Sequence, residues 1–370
     1  MDSMLPPGRR DRLAWRCGDG VSFSMMQVIR ENVRPAGWRA RRMPLHVRAP
    51  RRLLAALGLL CAGLAGAQQV SLSVSTTAGV FIGGATEVVL SQGYKVSELD
   101  WPLLPVVTSG ATLDLRTAIG FRGVLAVQKG FPMYDGTMTD SDFLNGDGVK
   151  THFSQANGFS EGMTVMDVRL GWSFGLEMPQ NRKAELFPFL SFQYLQLKWS
   201  AHDGYLQYPP ETNAPFTPWT ASEPKVPVYG TGIIYEQDYY IPAVGVSGTL
   251  PLSRTVSVSL AFTFSPYLWC NDIDDHVFRL IDFYTNMSGG FLLEPQATVT
   301  FQITPAVGLT VDALYRHISQ LTGTSYAVGQ GAVGYTQSGI LPGTQTLPVT
   351  NGGGASLDAG TITVSLDLAL

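Results

Sequence analysis

A two-residue alternation of apolar and polar side chains runs through most of this chain and constrains its fold more than any other feature. From Thr255 to Ser265 the even positions Val256, Val258, Leu260, Phe262 and Phe264 are apolar, and the odd ones are Thr, Ser or Ala. Such a stretch is an extended strand with one greasy and one small, polar face. From Ala111 to Val127, Leu113, Leu115, Ile119, Phe121, Leu125 and Val127 alternate with Asp114, Arg116, Ala118, Gly120, Arg122 and Ala126, so charges occupy the second face. The same rhythm recurs around Asp167 and Arg169, around Asp312 and Arg316, and in the final Ile362, Val364, Leu366, Leu368 and Leu370.

A soluble sandwich and a membrane barrel both satisfy that pattern, and the start of the chain separates them. Arg51 and Arg52 precede an apolar run from Leu53 to Leu64 and the small residues Ala65, Gly66 and Ala67, the pattern of an exported protein's signal peptide. We therefore divide the chain into an upstream extension, 1–42, with Met43 as the expected start, a signal peptide at 43–67, and one domain at 68–370. The first 67 residues hold 12 of the 25 basic residues and 4 of the 29 acidic ones, which leaves 13 basic and 25 acidic residues, a net charge near −12. That balance speaks against a nucleic-acid partner and is compatible with cationic peptides. Cys270 is the one cysteine after residue 67, so no internal disulfide is available.

Beyond the signal no apolar run approaches the roughly 20 residues of a membrane helix. An alternating apolar strand at the end of the chain is usual for outer-membrane barrels, although the last residue there is commonly aromatic and here is Leu370. The expected fold is all-β: a single ten-stranded antiparallel transmembrane barrel that rises above the outer membrane. Strands are expected near 70–90, 98–108, 111–130, 160–175, 185–203, 230–250, 255–275, 284–303, 307–323 and 356–370. Short turns are expected at Thr108 to Gly110, Pro179 to Lys183, Leu250 to Arg254 and Thr304 to Ala306, and long loops at 131–159, 205–229 and 324–354. Asp114, Arg116, Arg122, Asp167, Arg169, Asp312 and Arg316 should face the lumen and fill it with paired charge.

Two acidic clusters lie at expected outer strand ends. Asp140 and Asp142 are two apart, so an extended backbone puts both carboxylates on one face, where like charges in proximity share a proton. In isolation the same Asp-x-Asp reads more readily as a solvated turn. Asp272, Asp274 and His276 share parity in the second cluster, and a carboxylate beside an imidazole is what a general base acting on water requires. An exposed acidic loop, or a calcium site of Asp272, Asp274 and Asp275, fits those residues as well. Extending the parity of Val256 to Phe264 would turn this cluster away from the lumen, so a register break is expected, with Pro266 as its place. Cys270 reads as a passive strand residue, and His152, His202 and His317 stand in loops or strand ends without a comparable partner.

These residues resemble the omptin family of outer-membrane aspartyl proteases over most of the chain after residue 67. Gly93 to Trp101 is similar to the family's first-loop signature and Tyr235 to Pro242 to its sixth strand, and neither segment reads as catalytic. Asp140 and Asp142 match the family's aspartate couple, and Asp274 and His276 its Asp-His dyad. The resemblance implies a ten-stranded barrel with an extracellular groove. There His276 would take a proton from a water held between it and Asp140, Asp274 would orient His276, and Asp142 would tune Asp140, with no acyl-enzyme. Glu87 and Asp272 correspond to the acids flooring the specificity pocket, which implies peptide or protein substrates cut beside Arg or Lys. The family works as a monomer without a cofactor, yet binds lipopolysaccharide through basic wall residues where this chain has Gln196 and Asp238. Phe143 replaces the usual Trp after the couple, and His152 lies where an acid can occur.

A non-catalytic barrel serving adhesion or structure is the alternative from another class, and a porin is the third. The Asp140, Asp142, Asp274 and His276 set favours the enzyme, and a charged, narrow lumen predicts little conductance.

Overall fold

The computed structural model describes residues 70–179, 182–330 and 340–370. The proposed extension and signal peptide lie outside the described residues. The strands are β1 (Val70–Ser91), β2 (Tyr94–Thr117), β3 (Phe121–Gly130), β4 (Met133–Asp142), β5 (His152–Trp172), β6 (Phe174–Met178) and β7 (Arg182–Gln207) in the first half. The second half holds β8 (Val226–Pro251), β9 (Val256–Ser265), β10 (Leu268–His276), β11 (Ile281–Gly289), β12 (Leu292–Thr304), β13 (Val307–Gly329) and β14 (Val349–Ala369).

All pairings between these strands are antiparallel, and they join the segments into ten staves because β3 continues into β4, β5 into β6, β9 into β10 and β11 into β12. The ring closes where β1 meets β14, in register from Ser73 opposite Ala369 to Val89 opposite Gly353. Closure leaves no open sheet edge, as a strand structure in lipid requires. Among the described residues no helix is long and apolar enough to cross a membrane, so any crossing falls to strands.

The alternation sorts as expected. Leu113, Leu190, Val246, Leu260, Val311 and Ile362 are exposed on the outside of the barrel, an apolar band that only lipid would cover. Inside, Arg122 and Arg116 both bind Asp114 and Glu185. Arg169 pairs with Asp167 at 2.6 Å. Arg316 pairs with Glu294 at 2.6 Å and also donates to Gln193. Asp312 accepts from Gln296 and Thr298. The polar cavity of about 340 Å³ between these groups is crossed by paired charges, so the lumen is plugged.

Strands β7 and β8 are 26 residues each, against the 9 to 11 that suffice to cross the hydrocarbon. The surplus carries an upper storey whose floor is the buried stack of Tyr235 on Trp101 and Trp199, ring centroids 5.3 and 5.8 Å apart.

Several expected boundaries need correction. Thr108 to Gly110 is not a turn: β2 runs straight through it, paired to β1 on one side and β3 on the other. The real turn follows Thr117, closed by Gly120 N–H donating to Thr117 and by the positive φ of 85° at Gly120, which glycine tolerates. The expected loop at 131–159 shrinks to 143–151, because β4 and β5 pair almost to the barrel rim. The loop at 205–229 shrinks to 208–225, and β13 and β14 extend into the third.

Candidate active site

The break expected near Pro266 is present. Val244 pairs with Phe264, whereas Tyr240 pairs with Trp269, so four steps along β8 face five along its partner. That one extra residue reverses parity: Thr263 and Ser265 are buried before it, and Leu268, Cys270, Asp272 and Asp274 after it. The bulge thus converts a lipid-facing even register into an inward-facing one and turns the second acidic cluster into the barrel.

Asp140 and Asp142 end β4, which is hydrogen-bonded on both sides. Leu99 and Ser97 of β2 lie opposite them in one direction, and Ser154 and His152 of β5 in the other. A solvated turn is therefore excluded. Both line the same cleft as Asp274, His276 and Glu87. Ser97 Oγ donates to Asp140 Oδ1 at 2.8 Å. His276 Nε2 lies 2.6 Å from Asp274 Oδ2, with the Phe283 ring edge-on against the imidazole at 5.1 Å.

Asp272 sits just behind that lining. It accepts from Tyr235 Oη at 3.0 Å and from the Thr285 N–H at 2.9 Å. Tyr235 is itself held by Gln237, and Gln237 by Tyr239, three alternate residues of β8 that share the inward face. Asp275 has the opposite parity and faces Asp282 and Ile234 across the sheet. Asp272, Asp274 and Asp275 therefore do not converge, and the calcium reading fails on geometry. Among the described residues no group of three His, Cys, Asp or Glu is arranged to hold a metal ion.

Acids here outnumber their partners. Glu87 Oε2 and Asp274 Oδ1 are buried with no hydrogen-bond partner among the described residues. Burial, then the neighbouring Asp274 and Asp272, holds the Glu87 carboxyl well above the usual range. Burial raises Asp140 too, against the lowering effects of Ser97, Arg279 and His276. Asp142 rises through burial and then the charge of Asp140, and Asp272 through burial despite its donors. Both carboxyls of the couple are thus held above the usual carboxylate range, the direction that favours a shared proton.

Other placements depart from expectation. Ser97 and Tyr235 belong to the two segments read as non-catalytic, yet both hold site carboxylates; their parity with Leu99, Trp101 and Tyr239 would have shown the inward face. Of the three histidines expected to lack a comparable partner, one has a carboxylate within hydrogen-bond distance. His317 Nδ1 lies 2.8 Å from Asp358, and His202 bonds Ser200 and Thr231. His152 bonds Thr151 Oγ1 at 2.9 Å. Asp358 and Thr231 come from adjacent strands, which sequence spacing does not display, whereas Ser200 and Thr151 are near neighbours in sequence. Arg279 also lines the cleft, from a single 3-10 turn after β10, and its lone position after an acidic run gave no signal.

The outer-wall positions Gln196 and Asp238 are not cationic, and both are engaged by neighbours. Gln196 donates to Glu236, Lys198 pairs with Glu236 at 3.1 Å, and Tyr194 donates to Asp238. Lys129 stands exposed on the same row, donating to Thr164, which lies opposite Gln196.

A family model described as the omptin family matches residues 68–340. The chain belongs to the omptin family. The outer-membrane protease OmpT from Escherichia coli has a similar solved structure, with a TM-score of 0.70 at 16% identity over 81% of this chain and 97% of that one. The autotransporter NalP translocator domain from Neisseria meningitidis matches at 9% identity over 85% of this chain and 94% of that one, but its TM-score of 0.30 carries no argument. Among curated protein sequences no match is found. This omptin is thus an outer-membrane β-barrel protease, and its cleft stands at the rim above the lipid band.

Proposed function

We propose that this omptin is a surface endopeptidase that hydrolyses peptide bonds next to Arg or Lys by direct attack of water. In neutral His276 the Nε2–H donates to Asp274 and leaves Nδ1 as the acceptor for a water proton. Asp274 keeps the ring in that tautomer and stabilises the imidazolium that forms. Asp140, with one oxygen satisfied by Ser97, has its other oxygen free to hold the same water, and Asp142 sets the couple's charge. The hydroxide adds directly to the carbonyl carbon, the C–N bond then breaks with the departing amine taking the proton held on His276, and no covalent intermediate arises on the protein.

A cationic side chain before the cut would enter beside Glu87 and Asp272. The observation that carries this reading is the pair of orphaned buried oxygens, Glu87 Oε2 and Asp274 Oδ1, next to the 2.6 Å Asp274–His276 contact. A buried carboxylate oxygen without a donor is costly, and an arriving guanidinium or ammonium supplies the donors. No step of the chemistry is assigned to lipopolysaccharide.

The test is to refold the barrel in detergent and offer a fluorogenic dibasic peptide, with His276→Ala as control. Cleavage by the parent and a loss of roughly 10²–10⁴-fold in the variant are expected. Equal signal from both would leave a non-catalytic barrel of adhesive or structural use.

A further inference from the structure

Direct attack of water on a peptide carbonyl moves negative charge onto the carbonyl oxygen, and the lining of this cleft opposes it. Glu87, Asp140, Asp142 and Asp274 all border the space, and acids so placed disfavour a further anion among them. Backbone N–H groups often meet this oxygen in acyl-transfer sites. A barrel rim has none to offer. Glu87, Asp140, Asp142, Asp274 and His276 sit in antiparallel ladders with a strand on each side, so their N–H groups lie in the sheet and not across the cleft. The donor has to be a side chain.

Most side-chain donors of the lining are committed. Ser97 Oγ donates to Asp140, and the Thr285 and Ser325 hydroxyls bond each other at 3.0 Å. His276 Nε2 faces Asp274 at 2.6 Å, so the charge it gains with the water proton is already matched. His152 is buried, and its Nδ1 bonds Thr151 Oγ1 at 2.9 Å. Burial drives the His152 pKa down to about 4, against the charge of Glu211, so the ring is neutral at pH 7. Arg279 is left as the one permanent cation of the lining. Among the described residues its guanidinium makes no ion pair and no hydrogen bond. Its charge nevertheless reaches Asp140 and Asp142 and pulls both carboxyls down against burial. Arg279 is near the couple without being bound to it, an arrangement that an atom of the substrate would complete.

The turn that carries Arg279 is held in place. The single 3-10 turn Val277–Arg279 is followed by Leu280, whose left-handed backbone, φ 53°, returns the chain into β11. The Leu280 carbonyl accepts from the Gln330 N–H at 2.7 Å. The Phe278 ring covers Gly230 and Gly232 of β8, where added Cβ atoms would stand 3.8 and 3.5 Å from it. A cation on a fixed turn needs little reorganisation when charge develops beside it.

We propose that Arg279 is a catalytic residue that donates hydrogen bonds to the carbonyl oxygen as hydroxide adds to the carbonyl carbon. The π pair of the C=O bond moves onto that oxygen, and the guanidinium holds it without giving up a proton. The pair returns as the C–N bond breaks and the amine leaves with the proton held on His276. This inference rests on the endopeptidase reading and adds a fifth member to its machinery.

Parent, Arg279→Met and Arg279→Lys barrels in detergent are compared on one internally quenched peptide with a single Arg, with kcat and KM separated from acid to alkaline pH. Arg279→Met should lower kcat by roughly 10²–10³-fold, the worth of one oxyanion donor, with KM little changed. Arg279→Lys should keep part of the rate. Two uncleavable copies of the peptide give a readout independent of turnover: one carries a phosphinate, a tetrahedral anion, at the cut and the other a neutral hydroxyethylene. The ratio of their affinities does not depend on how much protein refolds. It should favour the phosphinate in the parent and fall by roughly tenfold or more in Arg279→Met. Should the parent cleave while Arg279→Met keeps its kcat, or regains it in full at higher pH as a mere tuner of the couple would, the role is overturned and the endopeptidase stands. A parent that prefers the neutral mimic overturns it as well, even if neither variant folds. No cleavage by the parent overturns both.

Discussion

The lower lumen and the rim cleft are made by the same ten staves and the same residue types, yet they treat charge in opposite ways. Below, Asp114, Glu185, Asp167 and Glu294 each have a guanidinium within 3.1 Å. Above, Glu87 and Asp274 keep an oxygen with no donor, and Arg279 is the one arginine in the cleft lining. Paired charge fills space and fixes the barrel. A buried carboxyl oxygen without a donor is costly unless a guest completes it, and two of them border this cleft.

Mutations should separate the two storeys. Asp140→Asn should lower kcat/KM by roughly 10²–10⁴-fold while thermal unfolding in detergent stays close to the parent's. Arg316→Met should do the converse. Removing one partner of a buried pair costs about 3–5 kcal/mol, read as a lower unfolding midpoint, with the peptide preference unchanged. A variant at Arg316 that altered peptide choice without loss of stability would break the division.

Glu87→Gln should sharpen it. Loss of one acid facing a cationic side chain predicts a drop of roughly 10–100-fold for an Arg substrate. Its stability should move the other way with pH. A carboxyl raised above its unfolded value contributes stability in full below the ordinary carboxylate range and loses it as pH rises through the raised value. Glu87 is raised, so Glu87→Gln should flatten the decline in unfolding midpoint on the alkaline side. The smallest effect belongs to the outer wall. Lys198→Ala removes a half-exposed pair with Glu236 and should change stability by less than about 1 kcal/mol.

The barrel was legible because its signal is periodic: each of Val256 to Phe264 and Ile362 to Leu370 declares its facing independently of distant partners. The correction at Thr108 to Gly110 shows the limit of that signal, since small polar residues at a turn and in a strand facing a crowded lumen look alike. The Asp140 and Asp142 pair was visible from parity, and the inward turn of Asp274 only as a conflict in parity that Pro266 could resolve. Ser97 and Tyr235 escaped functional notice for a different reason. Each acts on a residue of another stave, and antiparallel register, not sequence spacing, decides those meetings.

Calorimetric proton release is the most direct test of the idea that the upper carboxyls await a cation. A non-cleavable reduced-bond peptide with Arg at the cut should be titrated at pH 7 into the parent and into Glu87→Gln, each in two buffers of different ionisation enthalpy. The raised Glu87 and Asp272 should shed protons when the guanidinium arrives, so the parent's apparent heat should depend on the buffer and the variant's should depend on it less. Heats identical in both buffers for the parent, despite tight binding, would mean that the cleft's acids were not held protonated for that guest.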